Sequence, residues 1–379
     1  MKKTIYLDYA AATPMDRRVQ SAMQPYYAER FYNPSATYLS ARSVSQDIER
    51  ARQRLAHHLG CRSNEVTFTA GGTEANNLAI QGVMERFPGK NMVVSAIEHD
   101  SVLKPAEQYI HKIVPVSEAG TIDPGSLTAL IDDDTVLVSI MYANNEIGSI
   151  QPIKQVVAVI QDLRKQRRLT GNETPLYLHT DACQAAAYLD LHTSRLGVDM
   201  MTINGGKIYG PKQSGMLYVR VGVELSPLIR GGGQEYGLRS GTENVAAIIG
   251  LAEALDVVQG RRTAEEKRIK VLQEQFFGLL ETNIPNVIIN GTRNTRLVNN
   301  VHITIPGKDN ERLMMELDER GIMCALGSAC SASSDEPSHV LKAIGLRDED
   351  AQSSLRFSMG INTTMSDIET VVNELASLL

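Results

Sequence analysis

The chain has 379 residues, of which 42% are hydrophobic and 22% charged, with a formal net charge of −6. That length fits two domains, or one large domain with an appendage, and the acidic balance without a dense basic run argues against a general nucleic-acid binder. No run approaches the roughly 20 apolar residues that span a bilayer, and four cysteines are too few for a disulfide framework, which points to a reducing cytoplasm.

At the start, Met1-Lys2-Lys3 does not open a signal sequence, because Asp8 interrupts the apolar stretch before an h-region can form. The short apolar run 4–7 reads as an isolated strand that packs with a second domain. His57 and His58 on a predicted helix, and His111 further on, read as surface, and Cys61 as helix-end surface. From about residue 64 to 219, apolar runs at 65–70, 91–96, 135–140, 175–180, 200–204 and 215–219 alternate with amphipathic stretches. Such alternation predicts an α/β fold with a mostly parallel sheet covered on both faces. Ligands of such sheets sit at the carboxyl ends of strands, where these runs place their polar residues.

The first of those strand ends is Thr69-Ala-Gly-Gly-Thr-Glu-Ala-Asn-Asn77, which opens a helix. Its glycines let a backbone approach an anion, and the helix start offers free N–H groups, so Gly72 and Thr73 are candidate phosphate ligands. An ordinary N-cap is the plainer alternative. His99, in Ile97-Glu-His-Asp100, is placed to stack on an aromatic ring and to shuttle protons near neutral pH. Asn144 and Asn145, before the Gly148 turn, are either turn chemistry or donors to a cofactor oxygen and a substrate carboxylate. The cluster Arg164-Lys-Gln-Arg-Arg168 reads as a dipole complement at a helix end and as solvated surface.

Two later strand ends carry the strongest signal. The run from Pro175 ends in Asp181-Ala-Cys-Gln184, and the run from Val198 ends in Asn204-Gly-Gly-Lys207, held by Ile208-Tyr-Gly-Pro-Lys212. A strand-end acid and a strand-end lysine suit a pyridoxal phosphate site, the acid holding the ring nitrogen protonated and the amine forming a Schiff base. Taken singly, each residue is better explained as a solvated lysine or a helix-capping acid. A glycine-rich stretch, Gly231-Gly-Gly-Gln-Glu235 and Leu238-Arg-Ser-Gly-Thr-Glu243, is a weaker second phosphate candidate through Thr242.

Residues 242 to about 282 read as mostly helical, with an exposed, charged middle at 261–268. Strands at 286–290, 299–305 and 353–358 then form an α+β unit. The expected division is a large cofactor-binding domain over 15–255 and a smaller α+β domain made of 1–14 and 256–379. Cys330 lies in Gly327-Ser-Ala-Cys-Ser-Ala-Ser-Ser334, a small, polar, flexible setting that suggests a reactive thiol. Cys324 reads as core and Cys183 as packing. No cysteine or histidine spacing suggests a metal site.

In combination and in order, these segments resemble the cysteine desulfurases of the NifS/IscS type, fold-type-I pyridoxal phosphate enzymes. The resemblance spans nearly the whole chain. It rests on Tyr6-Leu-Asp-Tyr-Ala-Ala11, Asn33-Pro-Ser35, Gly72-Thr-Glu74, Glu98-His99, Asn144-Asn-Glu-Ile-Gly148, Asp181-Ala-Cys-Gln184, Lys207-Ile-Tyr-Gly-Pro-Lys212, Arg239-Ser-Gly-Thr242, Gly327-Ser-Ala-Cys330, Glu336-Pro-Ser338 and Leu355-Arg-Phe-Ser358. It implies a mostly parallel sheet of the seven-stranded type between helices, and conversion of L-cysteine to L-alanine. Lys207 would carry the cofactor and move the Cα proton, Asp181 would pair with the ring nitrogen, Gln184 with the ring hydroxyl, and His99 would stack on the ring. Gly72 and Thr73 would hold the phosphate, joined by Thr242 of a second subunit, so that a homodimer completes the site. Asn145, Arg356 and Asn33 would receive the substrate carboxylate, and Cys330 would take the sulfur as a persulfide. The acceptor would be a protein such as an iron–sulfur scaffold, with no nucleic acid and no membrane involved.

The chain departs from the family at three points. Relatives commonly read Ser-Gly-His-Lys where this chain has Asn204-Gly-Gly-Lys207, so Asn204 and backbone N–H groups around Gly206 must replace two phosphate donors. Weaker cofactor retention is the expectation. Tyr38 stands where a histidine is frequent, and the chain stops at Leu379 without a C-terminal extension that some relatives use to dock a scaffold. Two other readings stay open: a selenocysteine lyase or aminotransferase of the same fold, and a catalytically silent cofactor-binding sulfur relay.

Overall fold

The computed structural model describes residues 4–327 and 337–379. Its centre is a seven-stranded sheet in the order Val66–Thr69, Gly215–Val219, Met200–Asn204, Tyr177–Asp181, Thr135–Ser139, Asn91–Ser95 and Ile110–Val114. Gly215–Val219 runs antiparallel to both its neighbours, and every other pairing is parallel. The inner strands are buried on both faces, which is why they read as continuous apolar runs. Alternate residues of Asn91–Ser95 feed two different cores: Met92 and Val94 pack with Leu78, Ile80 and Leu217 on one face, and Val93 packs with Ile153 and Ile160 on the other. The edge strand Ile110–Val114, which the sequence reading passed over, is half exposed and carries polar His111 and Lys112. No long apolar run marks it.

The parallel register brings Ser95, Ser139, Asp181 and Asn204 to one edge of the sheet. Thr69 ends there as well, opposite the same Gly215 that pairs with Asn204. The helices Gly72–Arg86 and Asp100–Ala106 start from that edge.

A second unit holds the antiparallel sheet Ser354–Ser358, Asn300–Thr304 and Ile288–Ile289. Ile5–Tyr6 pairs in parallel with Ile322–Met323, so the first strand joins residues more than 300 positions away, and a bridge from Asp8 to Ser358 continues the connection. The helix Val245–Asn283 has 39 residues and a length of about 58 Å. Its first half is buried, packing with the helices Arg17–Met23 and Leu39–Leu59, and Phe276 meets Phe357 of the small sheet at 5.4 Å between rings. The 255/256 division expected from sequence falls inside this continuous helix. No helix among the described residues is long and apolar enough to cross a membrane.

The basic cluster at the end of Ile153–Thr170 is only partly solvated surface. Arg167 is buried and donates to the carbonyls of Asp132, Thr135, Thr174 and Pro175. Arg164 donates to Leu176 O and pairs with fully buried Asp199. Cys61, expected at the surface, packs half-buried against the main core, and burial pushes its thiol up to about 12. His58 is likewise drawn in, 2.5 Å from Asp256 Oδ1.

Candidate active site

The strand ends open on a cleft of about 610 Å³, lined by Gly72, Thr73, His99, Asn145, Asp181, Gln184, Asn204, Lys207 and Arg356 among others. One end is the start of the Gly72–Arg86 helix. Gly71 turns the chain there at φ +147°, a conformation that side chains rarely adopt. A Cβ on Gly72 would lie 2.8 Å from Cys183 Sγ and 3.3 Å from Asn204 Cβ, so only glycine leaves the first-turn amides open to a ligand. Glu74 steadies this turn: Ala70 N–H donates to one oxygen and Arg239 Nε to the other, at 3.1 and 2.9 Å.

Lys207 closes a single 3₁₀ turn, Gly205–Lys207, which Asn204 caps by accepting from Gly206 N–H at 3.0 Å. The Lys207 ammonium donates to Ala10 O at 2.9 Å and Ala11 O at 2.6 Å, and Gln184 Nε2 donates to Ala10 O at 3.0 Å. This wall comes from the N-terminal segment, strapped on by Thr13 Oγ1 to Gly206 O (3.0 Å), Tyr209 N–H to Thr13 Oγ1 (2.8 Å) and Lys212 Nζ to Thr13 O (2.6 Å).

Asp181 ends its strand almost fully buried. Its Oδ1 accepts Cys183 N–H at 2.9 Å and its Oδ2 accepts Asn76 Nδ2–H at 2.7 Å. His99 is the N-cap of Asp100–Ala106, its Nδ1 accepting Ser101 N–H at 3.0 Å. On the remaining side, buried Arg356 donates to Asp8 Oδ1 at 2.7 Å and to Asn145 O at 3.0 Å.

Three expected residues lie elsewhere. Asn33 sits in an exposed turn, accepting Ser35 N–H, and does not line the cleft. Gly206 is buried beneath it, its carbonyl taken by Thr13. Thr242 lines a separate depression with Arg239, Glu235 and Asn244. Cys330 lies outside the described residues. Cys183, read from sequence as packing, does line the cleft, and burial followed by the charge of Asp181 raises its thiol pKa far above the ordinary range.

The sequence reading gave no role to several buried polar groups in and beneath the cleft. Glu98 is inaccessible to solvent and accepts Ser95 Oγ–H at 2.5 Å and Met141 N–H at 2.7 Å. Burial pushes its carboxyl up to about 8. Glu146 accepts Ser338 Oγ–H at 2.6 Å, and burial raises its pKa too. Asn76, fully buried, reaches both Asp181 and Ser101, and its Oδ1 has no partner among the described residues. Their one sequence signal is proximity to Gly72, His99 and Asn145.

This donor set fits pyridoxal phosphate. Open amides at a helix start suit a phosphate, a buried carboxylate suits a protonated ring nitrogen, and an amine and an imidazole stand between them. The model for class-V aminotransferases matches residues 5–371. The cysteine desulfurase IscS of Dictyoglomus turgidum is 40% identical, over all of this chain and 95% of its own length. Among solved structures, a NifS-like protein superposes with a TM-score of 0.91 at 30% identity, covering 99% of each chain. A second, SspA in complex with cysteine, gives 0.81 at 32% identity over 94% of this chain and 99% of its own. In fold, in cleft and in sequence, the chain belongs to the class-V aminotransferase family.

Proposed function

We propose that this chain is a pyridoxal 5'-phosphate-dependent cysteine desulfurase that converts L-cysteine to L-alanine and passes the sulfur to Cys330. The observation that carries the reading is the meeting of Lys207, Asp181 and the Gly72 helix start in one cleft. Gly72, Thr73 and the first-turn amides would hold the phosphate, with Asn204 beside them. Asp181 would face the ring nitrogen, Gln184 the ring hydroxyl and His99 the ring plane. When bound, the cofactor ring withdraws electrons from the substrate Cα and weakens the bonds to it.

Lys207 Nζ is the base that takes the Cα proton, and the Ala10 and Ala11 carbonyls fix where that amine stands. Asn145 and Arg356 bind the substrate carboxylate, Arg356 being oriented for this by Asp8. Cys330 thiolate forms an S–S bond to the substrate sulfur as the Cβ–S bond breaks. The Cβ carbon keeps that electron pair and takes a proton, and Lys207 returns the proton to Cα, which gives alanine. The persulfide then passes to an acceptor protein in iron–sulfur assembly in the cytoplasm. A homodimer, with Thr242 reaching the partner's phosphate, completes the site.

The test is direct. Purified protein incubated with L-cysteine should release alanine, and its Cys330 peptide should gain the mass of one sulfur. Cys330→Ala should abolish both while keeping the bound cofactor's visible absorption. Alanine formation undiminished in that variant, or a keto acid as the product, would overturn the reading.

A further inference from the structure

Asn76 lies one turn into the helix whose start faces the phosphate site, and Ser101 lies in the first turn after His99. Both residues line the cleft. Asn76 Nδ2 stands 2.7 Å from Asp181 Oδ2 and 2.8 Å from Ser101 Oγ. Ser101 Oγ in turn stands 2.9 Å from His99 Nδ1, which also receives Ser101 N–H at 3.0 Å.

The protons can be assigned one by one. The reverse orientation of the Asn76 amide would set its oxygen against the Asp181 carboxylate, two acceptors at 2.7 Å, so the nitrogen faces Asp181. One Nδ2 proton goes to Asp181 and the other to Ser101 Oγ. Ser101 therefore accepts from Asn76, and its own proton goes to His99 Nδ1. A backbone N–H can only donate, so Nδ1 is met by two donors and carries a lone pair. The proton of a neutral His99 is on Nε2.

We propose that Asn76 and Ser101 are positioning residues: a relay that holds Asp181 against the cofactor's ring nitrogen and, through Ser101, fixes His99 as the Nε2–H tautomer. Three groups assigned to the cofactor, on a helix start, a strand end and a turn, thereby act as one unit. The proposal rests on the cofactor reading but not on cysteine as substrate.

Holoenzyme labelled with ¹⁵N-histidine should show Nδ1 of His99 unprotonated and hydrogen-bonded, and Nε2 protonated, the signals being assigned with His99→Gln. Ser101→Ala should shift the Nδ1 resonance toward a less hydrogen-bonded value and change cofactor affinity less than about twofold, since Asp181 keeps its Asn76 contact. Asn76→Asp replaces the donor with an acceptor. It should also move Nδ1, by recapturing the Ser101 proton, and should weaken pyridoxal phosphate binding by about tenfold or more in equilibrium dialysis. A merely structural role would lower the melting temperature of these variants and leave the Nδ1 resonance in place, which overturns the relay. Protonation at Nδ1 in the unaltered chain overturns it as well, whether or not Asn76→Asp folds. Failure of the unaltered chain to bind pyridoxal phosphate sinks the cofactor reading itself, a result distinct from unchanged variants in a chain that binds it.

Discussion

Glu98 is a carboxyl with no access to water, and its acidity is displaced upward to about 8 from an ordinary 4.5. Between those values the unfolded chain has released the proton while the folded one keeps it. The stabilisation is therefore complete below about pH 4.5 and lost as the pH rises toward about 8, at about 1.4 kcal/mol per pH unit. Glu98→Gln keeps an acceptor for Ser95 Oγ–H and Met141 N–H and cannot ionise. Urea unfolding across that range should give a flatter pH dependence for the variant, and parallel curves would contradict the assignment. Gly72 makes a second residue-scale case. Gly72→Ala sets a methyl 2.8 Å from Cys183 Sγ, and cofactor affinity should fall by about tenfold or more by equilibrium dialysis. Adding Cys183→Ala should recover part of the loss, since Asn204 Cβ still stands 3.3 Å away. Additive losses in the double variant would show that the methyl acts on the helix start and not through the thiol. The placing of Lys207, Asp181 and His99 at the cleft was legible in the sequence because each stands within three residues of the end of a readable apolar run. Asn76 and Ser101 were not, because a polar residue inside a helix looks the same in sequence whether it meets water or a buried carboxylate.

At the scale of elements, long apolar runs predicted strands well, and two of them, 200–204 and 215–219, coincide with the observed bounds. The edge strand Ile110–Val114 escaped because one side of it meets solvent and its polar residues hide the pattern. Arginines misled in the opposite direction. Arg167 looked like a charge at a helix terminus, yet four main-chain carbonyls surround its guanidinium and tie the end of Ile153–Thr170 to the segments that enter two central strands. Charge patterning cannot show this, since the partners are backbone groups that every sequence has. Arg167→Ala would leave those carbonyls buried and unpaired, and chemical denaturation should show a loss of about 2–4 kcal/mol. With the cleft on the far side of the strands, kcat/KM at a temperature where the variant is folded should stay within about twofold. Arg167→Lys should recover little, because one ammonium cannot reach four acceptors in a plane.

At the scale of the whole molecule, the site is assembled from distant parts of the chain: Ala10 and Ala11, the central strand ends, and Arg356 held by Asp8. Among the described residues given a phosphate role, Gly206 lies beneath the cleft and Thr242 lies beside it, on a loop fixed in place from two directions. Buried Arg52 clasps Glu235 with both nitrogens at 2.7 Å, and Arg239 reaches Glu74 in the first turn of the phosphate-facing helix. Glu235 and Tyr236 both adopt positive φ, 48° and 58°, a conformation that side chains rarely adopt, and these ion pairs hold the loop in it. A loop presented so rigidly beside the cleft, but not within it, is suited to serve the site of a second copy. If Thr242 completes the partner's site, two lesions in different chains should complement. Lys207→Ala inactivates its own site, and Thr242→Glu, which sets a negative charge against a phosphate, inactivates the other subunit's site. In a mixed dimer one site then carries both lesions and the other carries none. Random exchange makes half the dimers mixed, so activity should return to about a quarter of the unaltered level after the two inactive proteins are unfolded and refolded together. Size-exclusion chromatography would confirm that dimers reformed. Activity no higher than that of either parent would mean that Thr242 serves its own subunit, and that each chain builds its cleft alone.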